Sequence, residues 1–242
     1  MCALFVIGIA GKTVGIDNRY ALVRRLCDDY ICDKSPDFTV RASDSEIGNE
    51  KRAAVSSVSD AYAESVCIYR NICRRMPEYG AFLFHSAVVE CDGRAYAFAA
   101  PSGTGKSTHA MLWLKHFGDR ARMINGDKPI FRRDGEDFFA YGTPWCGKEG
   151  LNENTRSPLS AICFLERGKE NRIVRLGRSE AVSLIFPQIL MPESEEDVAR
   201  LFPLLGDLVS CVGCYRLTCN ISDEAVDVAY KGMNDNSERT IK

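Results

Sequence analysis

No stretch of this chain is long and apolar enough to cross a bilayer. The longest near its start, ALFVIGIAG, falls well short and has no basic flank, so neither a membrane span nor an export signal is expected. The expected location is the cytoplasm. An excess of positive charge is also missing. The 31 Lys and Arg against 33 Asp and Glu leave a net charge of −2, which offers no field to a nucleic acid. Histidines number only 3, too few to build a zinc cluster around the one C-x-x-C pair, Cys211 and Cys214. An odd count of 11 cysteines without an export signal argues against a disulfide framework. Most sit singly in apolar runs such as ESVCIYRNIC, where a reduced thiol packs as a small hydrophobe. Neither repeats nor low-complexity segments are present. Nothing in the composition speaks against a homo-oligomer.

What remains is an ordinary globular chain of 242 residues, 45% hydrophobic and 26% charged, enough for one large domain or one domain with an appendage. Residues 1–75 read as a small α/β region. ALFVIGIAG and KTVGID predict two strands joined by a Gly turn. NRYALVRRLCDDY predicts a helix with Tyr20, Val23, Leu26, Cys27 and Tyr30 on one side. KSPDFTVRASDSEIGNEKR, polar and rich in breakers, predicts loops around a short strand. A helix over roughly 60–75 follows, its apolar face formed by Ala61, Val66, Cys67, Tyr69 and Ile72.

The pattern sharpens in residues 76–242. AFLFHSAVVE and RAYAFAA predict strands of a hairpin turning at Asp92-Gly93. The loop PSGTGK leads to a helix, STHAMLWLKHF, stopped at Gly118. ARMIN predicts a strand ending at Gly126-Asp127, IFRRDGEDFFAYG a second hairpin, and TPWCGKEGLNEN a loop. Strands at PLSAICFLERG, NRIVRL and YRLTCN and helices at SEAVSLIFPQIL, SEEDVARLFPLLGDLV and DEAVDVAYKGM complete an α/β order.

Residues 98–108, FAAPSGTGKST, match seven of the eight positions of the phosphate-loop (Walker A) signature G-x-x-x-x-G-K-[ST]; the first Gly is replaced by Ala100. The chemistry of such a loop lies in its backbone. Amides over Ser102, Gly103, Thr104, Gly105, Lys106, Ser107 and Thr108 can surround a phosphate at the head of the following helix. Lys106 would reach the β- and γ-phosphates, and Ser107 would bind Mg²⁺. Gly103 and Gly105 supply backbone angles closed to other residues, whereas Ala100 marks the strand exit, where a methyl is tolerated if φ stays negative. A loop of this kind needs a carboxylate. Asp127, about twenty residues after Lys106, would stand at the end of a strand beside the loop strand, holding Mg²⁺ or taking a proton from an attacking hydroxyl. The second string, IAGKTVG at 9–15, lacks the upstream Gly and opens no helix, and reads as a turn between strands.

A hairpin running straight into the loop is unusual. The combination HSAVVECDGRAYAFAAPSGTGKST, MINGDKPIFR and YGTPWCGK, within about residues 80–180, resembles the HPr kinase/phosphorylase family, and more closely its smaller HPr-kinase-like bacterial relatives. That superfamily shares its nucleotide-binding core with ATP-dependent phosphoenolpyruvate carboxykinase. The resemblance implies an α/β fold with a mixed sheet, ATP as donor and Mg²⁺ as metal. It implies that His85, on the strand before the loop, lies close to a catalytic Asp127. The family commonly has two adjacent acids where this chain has Gly126-Asp127, so the first acid is absent; Glu149 or Glu153 would be candidates to assist. GTPWCGKEGLN corresponds loosely to the family's substrate-side loop, in which Trp145 would wall a pocket and Lys148 or Arg156 would steady the transferring phosphoryl group. The family's signature segment after the metal acid is not recognisable, which argues against HPr itself as acceptor.

Three functions are therefore weighed. The leading one is ATP-dependent phosphotransfer to a hydroxyl, on a small molecule or on a serine of a protein or peptide. The second is a nucleotide-binding regulator without turnover. A carboxykinase-like enzyme is third, disfavoured by the short chain and the want of a manganese-ligand cluster.

Overall fold

The computed structural model describes residues 4–235. The expected opening run starts at Ala3, which lies outside the described residues, as do residues 236–242 at the other end. β1 (Phe5–Ile9) and β2 (Lys12–Asp17) pair antiparallel around Ala10-Gly11, and β3 (Phe38–Arg41) joins β2 in parallel. Between them α1 (Ala21–Leu26) and a short 3-10 turn bury Val23, Cys27 and Tyr30 as their spacing predicts; Leu26 instead faces outward.

The stretch expected to be loops around β3 contains a helix, α2 (Asp44–Ala53). Ser43 caps it through a reciprocal pair with Glu46: the Ser43 Oγ accepts the Glu46 amide, and the Glu46 carboxylate accepts the Ser43 amide. Only Ile47 of this helix is buried, so almost no apolar period announces it. α3 (Asp60–Arg75) has the expected bounds, but its buried face is Ala63, Cys67, Ile68, Tyr69, Ile72 and Cys73, while Ala61 and Val66 are half-buried.

A larger mixed sheet follows. Its strands are β4 (Ala81–Leu83), β5 (Ala87–Cys91), β6 (Arg94–Ala99), β7 (Ala121–Asn125), β8 (Ile130–Asp134), β9 (Asp137–Tyr141), β10 (Arg156–Arg167), β11 (Arg172–Arg175) and β12 (Gly213–Cys219). The order is β4-β8-β9-β10-β6-β5-β7, with β12 beside β10 and β11 beyond it. β10 runs parallel to both β6 and β12. Both faces are covered, so these strands are apolar on both sides. Tyr96, Phe98, Ala161 and Cys163 point to one face, under α4 (Lys106–Phe117) and α7 (Asp223–Asn234). Ala97, Ala99, Ile162 and Phe164 point to the other, under α5 (Arg178–Ile185) and α6 (Glu195–Cys211).

Two expectations change here. AFLFHSAVVE is not one strand: it breaks at His85-Ser86 into β4, paired with β8, and β5, paired with β6 and β7. At the break the His85 amide leaves the ladder and donates to the Gln188 carbonyl at 2.7 Å. And β7 is not beside the loop strand β6, because β5 lies between them. Among the described residues no helix is long and apolar enough to cross a membrane. The described cysteines are free thiols. Cys211 is exposed at the end of α6, whereas Cys214 is buried in β12.

Candidate functional site

The site forms where β6 ends and α4 begins. Residues 100–105 connect them, and the positive φ of Gly103 (78°) and Gly105 (127°) lets the chain turn sharply into the helix. Ala100 does not share that region, so its methyl is unstrained. Gly105 brings no side chain to cap α4, whose first turn also carries no acid. The helix head therefore keeps its partial positive charge. Lys106 is buried there and donates to the Ala100 carbonyl at 2.9 Å. Burial lowers its proton affinity, Asp127 acts in the opposite direction, and Lys128 adds to the lowering. The Ser107 side chain is half-buried, and Thr108 is exposed.

Asp127 follows β7. The antiparallel register of β5 and β7 pairs Val88 with Asn125, which carries the residues before β5 toward those after β7. His85 Nε2 thus meets Asp127 Oδ1 at 3.0 Å, and the other carboxylate oxygen takes the Lys128 ammonium. Burial alone would raise the pKa of Asp127. The hydrogen bonds from His85 and Lys128, with their charge, outweigh it and hold the carboxyl well below the usual carboxylate range. It is a persistent anion.

The loop carrying Asp127 is held by Asn125, fully buried at the end of β7. Its Oδ1 accepts the amides of Asp127 (2.9 Å) and Lys128 (2.7 Å), and its Nδ2 donates to the Thr143 carbonyl at 3.0 Å. Tyr69 Oη and Thr143 Oγ1 both donate to the Lys128 carbonyl. Gly126 is in close quarters: a Cβ there would stand 2.8 Å from the Cys146 carbonyl oxygen. The backbone of the 146–151 segment occupies the space that a second acid would need.

The other expected residues are dispersed. Trp145 is in the core, stacked on Tyr69 at 4.4 Å, its indole N–H donating to Ser65 Oγ at 2.9 Å. Lys148 and Glu149 are exposed on the loop after Cys146. Glu153 pairs with Arg122 at 3.2 Å. Arg156 begins β10 and binds Asp134 and the Tyr141 hydroxyl. The glycine loop adjoins the other end of that strand, roughly 35 Å away at 3.3 Å per residue. Arg156 is not brought to the site.

Residues not singled out from the sequence complete the surroundings. Arg167, at the end of β10, donates to the carbonyls of Gly103 (2.5 Å) and Thr104 (3.0 Å), tying down the loop. A cavity of about 430 Å³ lies against the loop and the first turns of α4, between Thr108, His109, Leu112, Glu166 and Asn220. His109 is buried there, accepting the Trp113 indole N–H at 3.1 Å, and burial pushes its pKa down to about 4. A second cavity, of about 640 Å³, opens on the other side of the loop toward α5.

Residues 62–224, most of the chain and all of these groups, match the family model described as SynChlorMet cassette protein ScmC. The chain belongs to the ScmC family. None of the curated proteins matches this ScmC-family chain in sequence. Among solved structures it is similar to the Hpr(Ser) kinase/phosphatase from Coxiella burnetii, at 6% identity and a TM-score of 0.37, covering 62% of this chain and 95% of that one.

Proposed function

We propose that this ScmC-family chain transfers the γ-phosphate of ATP to a hydroxyl group. The observation that carries the reading is the turn of β6 into α4 through Gly103 and Gly105, which sets a buried Lys106 at the head of an uncapped helix. A phosphate over residues 103–108 would meet the helix head and Lys106 together. Arg167 ties down the loop through the Gly103 and Thr104 carbonyls. The cavity by His109 and Asn220, beside the loop, would take the nucleoside.

Ser107 and Asp127 would hold Mg²⁺. Mg²⁺ keeps several of its waters and needs few protein oxygens. When bound, the ion would neutralise charge on the phosphates. In the transfer the acceptor oxygen bonds to the γ-phosphorus as the bond to the β–γ bridging oxygen breaks and ADP leaves. The hydroxyl proton passes to the Asp127–His85 pair. Asp127 alone is a weak base, and His85 gives the pair a second proton site. A loose transition state needs little more from the protein than this and a firm position for each group. The Lys128 ammonium, now on Asp127, would be in reach of a phosphoryl oxygen.

Thermal unfolding with a non-hydrolysable ATP analogue and Mg²⁺ tests the reading. Stabilisation of the wild-type chain and none for Lys106→Ala is the expected result; equal stabilisation of both overturns it. Turnover of ATP with an added acceptor separates a kinase from a nucleotide-binding regulator.

A further inference from the structure

The cavity of about 430 Å³ beside the glycine loop has the size of a small-molecule site. Gly103, Thr104 and Gly105 form one edge of it, so a group attached to a phosphate on the loop can reach into it. Leu112 of α4 and Ile221, in the turn between β12 and α7, line the rest of the way. Ile221 is a large apolar side chain left 77% exposed. It precedes Ser222, the cap of α7, where an apolar residue often packs on the fourth residue of the helix, here Val226. So high an exposure shows that Ile221 makes little use of that contact. Its turn is nevertheless held firmly. The Asn220 amide donates to Asn171 Oδ1 at 3.0 Å, Asn220 Nδ2 donates to the Lys169 carbonyl at 2.9 Å, and Asn220 Oδ1 accepts the Ser222 hydroxyl at 2.5 Å. Three hydrogen bonds thus fix an apolar side chain at the rim of the cavity. The polar side chains of the wall are engaged within the protein. Both ends of the Asn220 side chain are used, buried His109 accepts the Trp113 indole N–H, Glu166 is ion-paired with Arg216, and Arg167 holds the loop carbonyls. Thr108 lies one helical turn nearer the loop than Leu112.

We infer that Ile221 is the surface on which the base of the nucleotide lies, and that the base is held by its flat face and not read at its edge, so adenine and guanine nucleotides bind alike. The inference rests on the nucleotide-binding reading above. A purine ring laid on Ile221, with Leu112 beside it, covers apolar surface that the free chain leaves in water. Because the turn is already fixed by Asn220, little order has to be imposed on it when the base arrives. Strong discrimination between two bases needs a polar group of the site that one base satisfies and the other leaves unpaired. In this wall the candidates for that task are bound to the protein itself.

Three probes separate the base from the phosphates: non-hydrolysable analogues of ATP and of GTP, and inorganic triphosphate, each with Mg²⁺. Their binding to the full chain is measured by titration calorimetry. The wild-type chain is expected to bind the two nucleotides within about threefold of each other and both more tightly than triphosphate. Ile221→Ser is expected to weaken both nucleotides by roughly tenfold, the weight of a few methyl and methylene groups, and to leave triphosphate unchanged. Ile221→Leu, which keeps the apolar surface, should stay within about twofold of the wild-type chain. An exposed position makes loss of folding an unlikely result of either change, and melts without ligand check this. Unchanged nucleotide binding by Ile221→Ser, or an equal loss for triphosphate, overturns the role of Ile221. A wild-type preference between the two nucleotides above tenfold overturns the face-only grip. Wild-type binding of triphosphate as tight as that of the nucleotides overturns the base site alone and leaves the phosphate loop standing. Binding of none of the three overturns the nucleotide-binding reading and this inference together.

Discussion

His85 Nε2 stands 3.0 Å from Asp127 Oδ1, a contact between residues 42 positions apart that exists because β5 and β7 are antiparallel neighbours. The pair shares one face of the site, and the two residues are not equivalent in it. Asp127 carries the charge and the second contact to Lys128, so its loss should be the greater. Asp127→Asn is expected to lower phosphotransfer by about 10²–10⁴-fold, the usual weight of a positioned proton acceptor. Nucleotide affinity in the absence of Mg²⁺ should change little. His85→Gln should lower transfer less. Single-turnover transfer measured beside nucleotide titrations checks both; a large loss of nucleotide affinity in Asp127→Asn would point to a collapsed loop instead.

Lys106 is a charge that the fold desolvates, and its amine is correspondingly less basic than usual. Replacing it with Met removes that cost while keeping most of the apolar stem. The variant is expected to unfold about 2–4 °C higher than the wild-type chain without nucleotide, the shift for about 1 kcal/mol in a chain of this size. With nucleotide the order should reverse. Paired melts with and without the Mg²⁺–ATP analogue read both effects.

Gly126 stands where an adjacent acid would be expected, and the Cys146 carbonyl gives the reason. A Cβ at 2.8 Å from a backbone oxygen forces the 146–151 segment to move. Gly126→Asp should therefore cost about 1–3 kcal/mol, the range for overpacking, and should not raise activity. A melt showing no loss of stability would mean that the segment gives way freely.

The turn from β6 into α4 was legible in the sequence, and the tertiary surroundings of that turn were not. A strand, two glycines, a lysine and a helix within eleven residues are a local pattern, and local geometry alone turns them into the loop. The place of Asp127 just past a short apolar strand was readable too, but not the strand's position, since β5 separates β7 from β6. The stretch AFLFHSAVVE hides its break, since residues on both sides of His85 are apolar and only pairing with different strands separates them. Arg156 and Arg167 end the same strand, and nothing in its alternation says which end meets the loop. That is settled by β10 lying parallel to β6. Arg167 reaches the loop only through tertiary packing. α2 was hidden differently: its Ser43–Glu46 capping signal is local, but a helix burying one residue has no apolar period to support it.

Buried His109 predicts a dependence on pH. Its pKa is about 4 in the folded chain against an ordinary value near 6.5, so between those values the unfolded chain binds the extra proton. Stability from this group is fully present above about 6.5 and is lost as pH falls toward 4. The loss would be roughly 3 kcal/mol for a shift of this size. His109→Gln keeps an acceptor for the Trp113 N–H and does not titrate. Urea unfolding at pH 7 and pH 4.5 should show a smaller difference for the variant than for the wild-type chain; equal differences would remove His109 as the cause.

Arg167 is exposed, and its worth lies in where its guanidinium is spent. Two donors meet the carbonyls of Gly103 and Thr104, holding the loop open toward α4. A freed loop has more conformations to lose on binding, so Arg167→Met should weaken nucleotide binding by about 3–10-fold at little cost to the melting temperature. Arg167→Lys should not restore it, because a single ammonium cannot span both carbonyls in one plane. Full rescue by Lys would mean that charge near the phosphates matters and the clamp does not.

Asn125 offers the sharpest separation of position from chemistry. It touches no expected ligand, but its Oδ1 receives the amides on both sides of the Asp127–Lys128 peptide, and its Nδ2 anchors them to Thr143. Asn125→Ala strands these groups in a buried place, at a cost of about 2–4 kcal/mol for several unmade hydrogen bonds. Asn125→Asp keeps the acceptor oxygen for the two amides but loses the donor to Thr143. It also sets a second negative charge two residues from Asp127. If the residue serves to aim Asp127, both variants should lower transfer far more than nucleotide affinity, since the phosphate loop on β6 and α4 is built without it. Parallel losses of transfer and of nucleotide binding would instead show that Asn125 supports the whole end of the sheet.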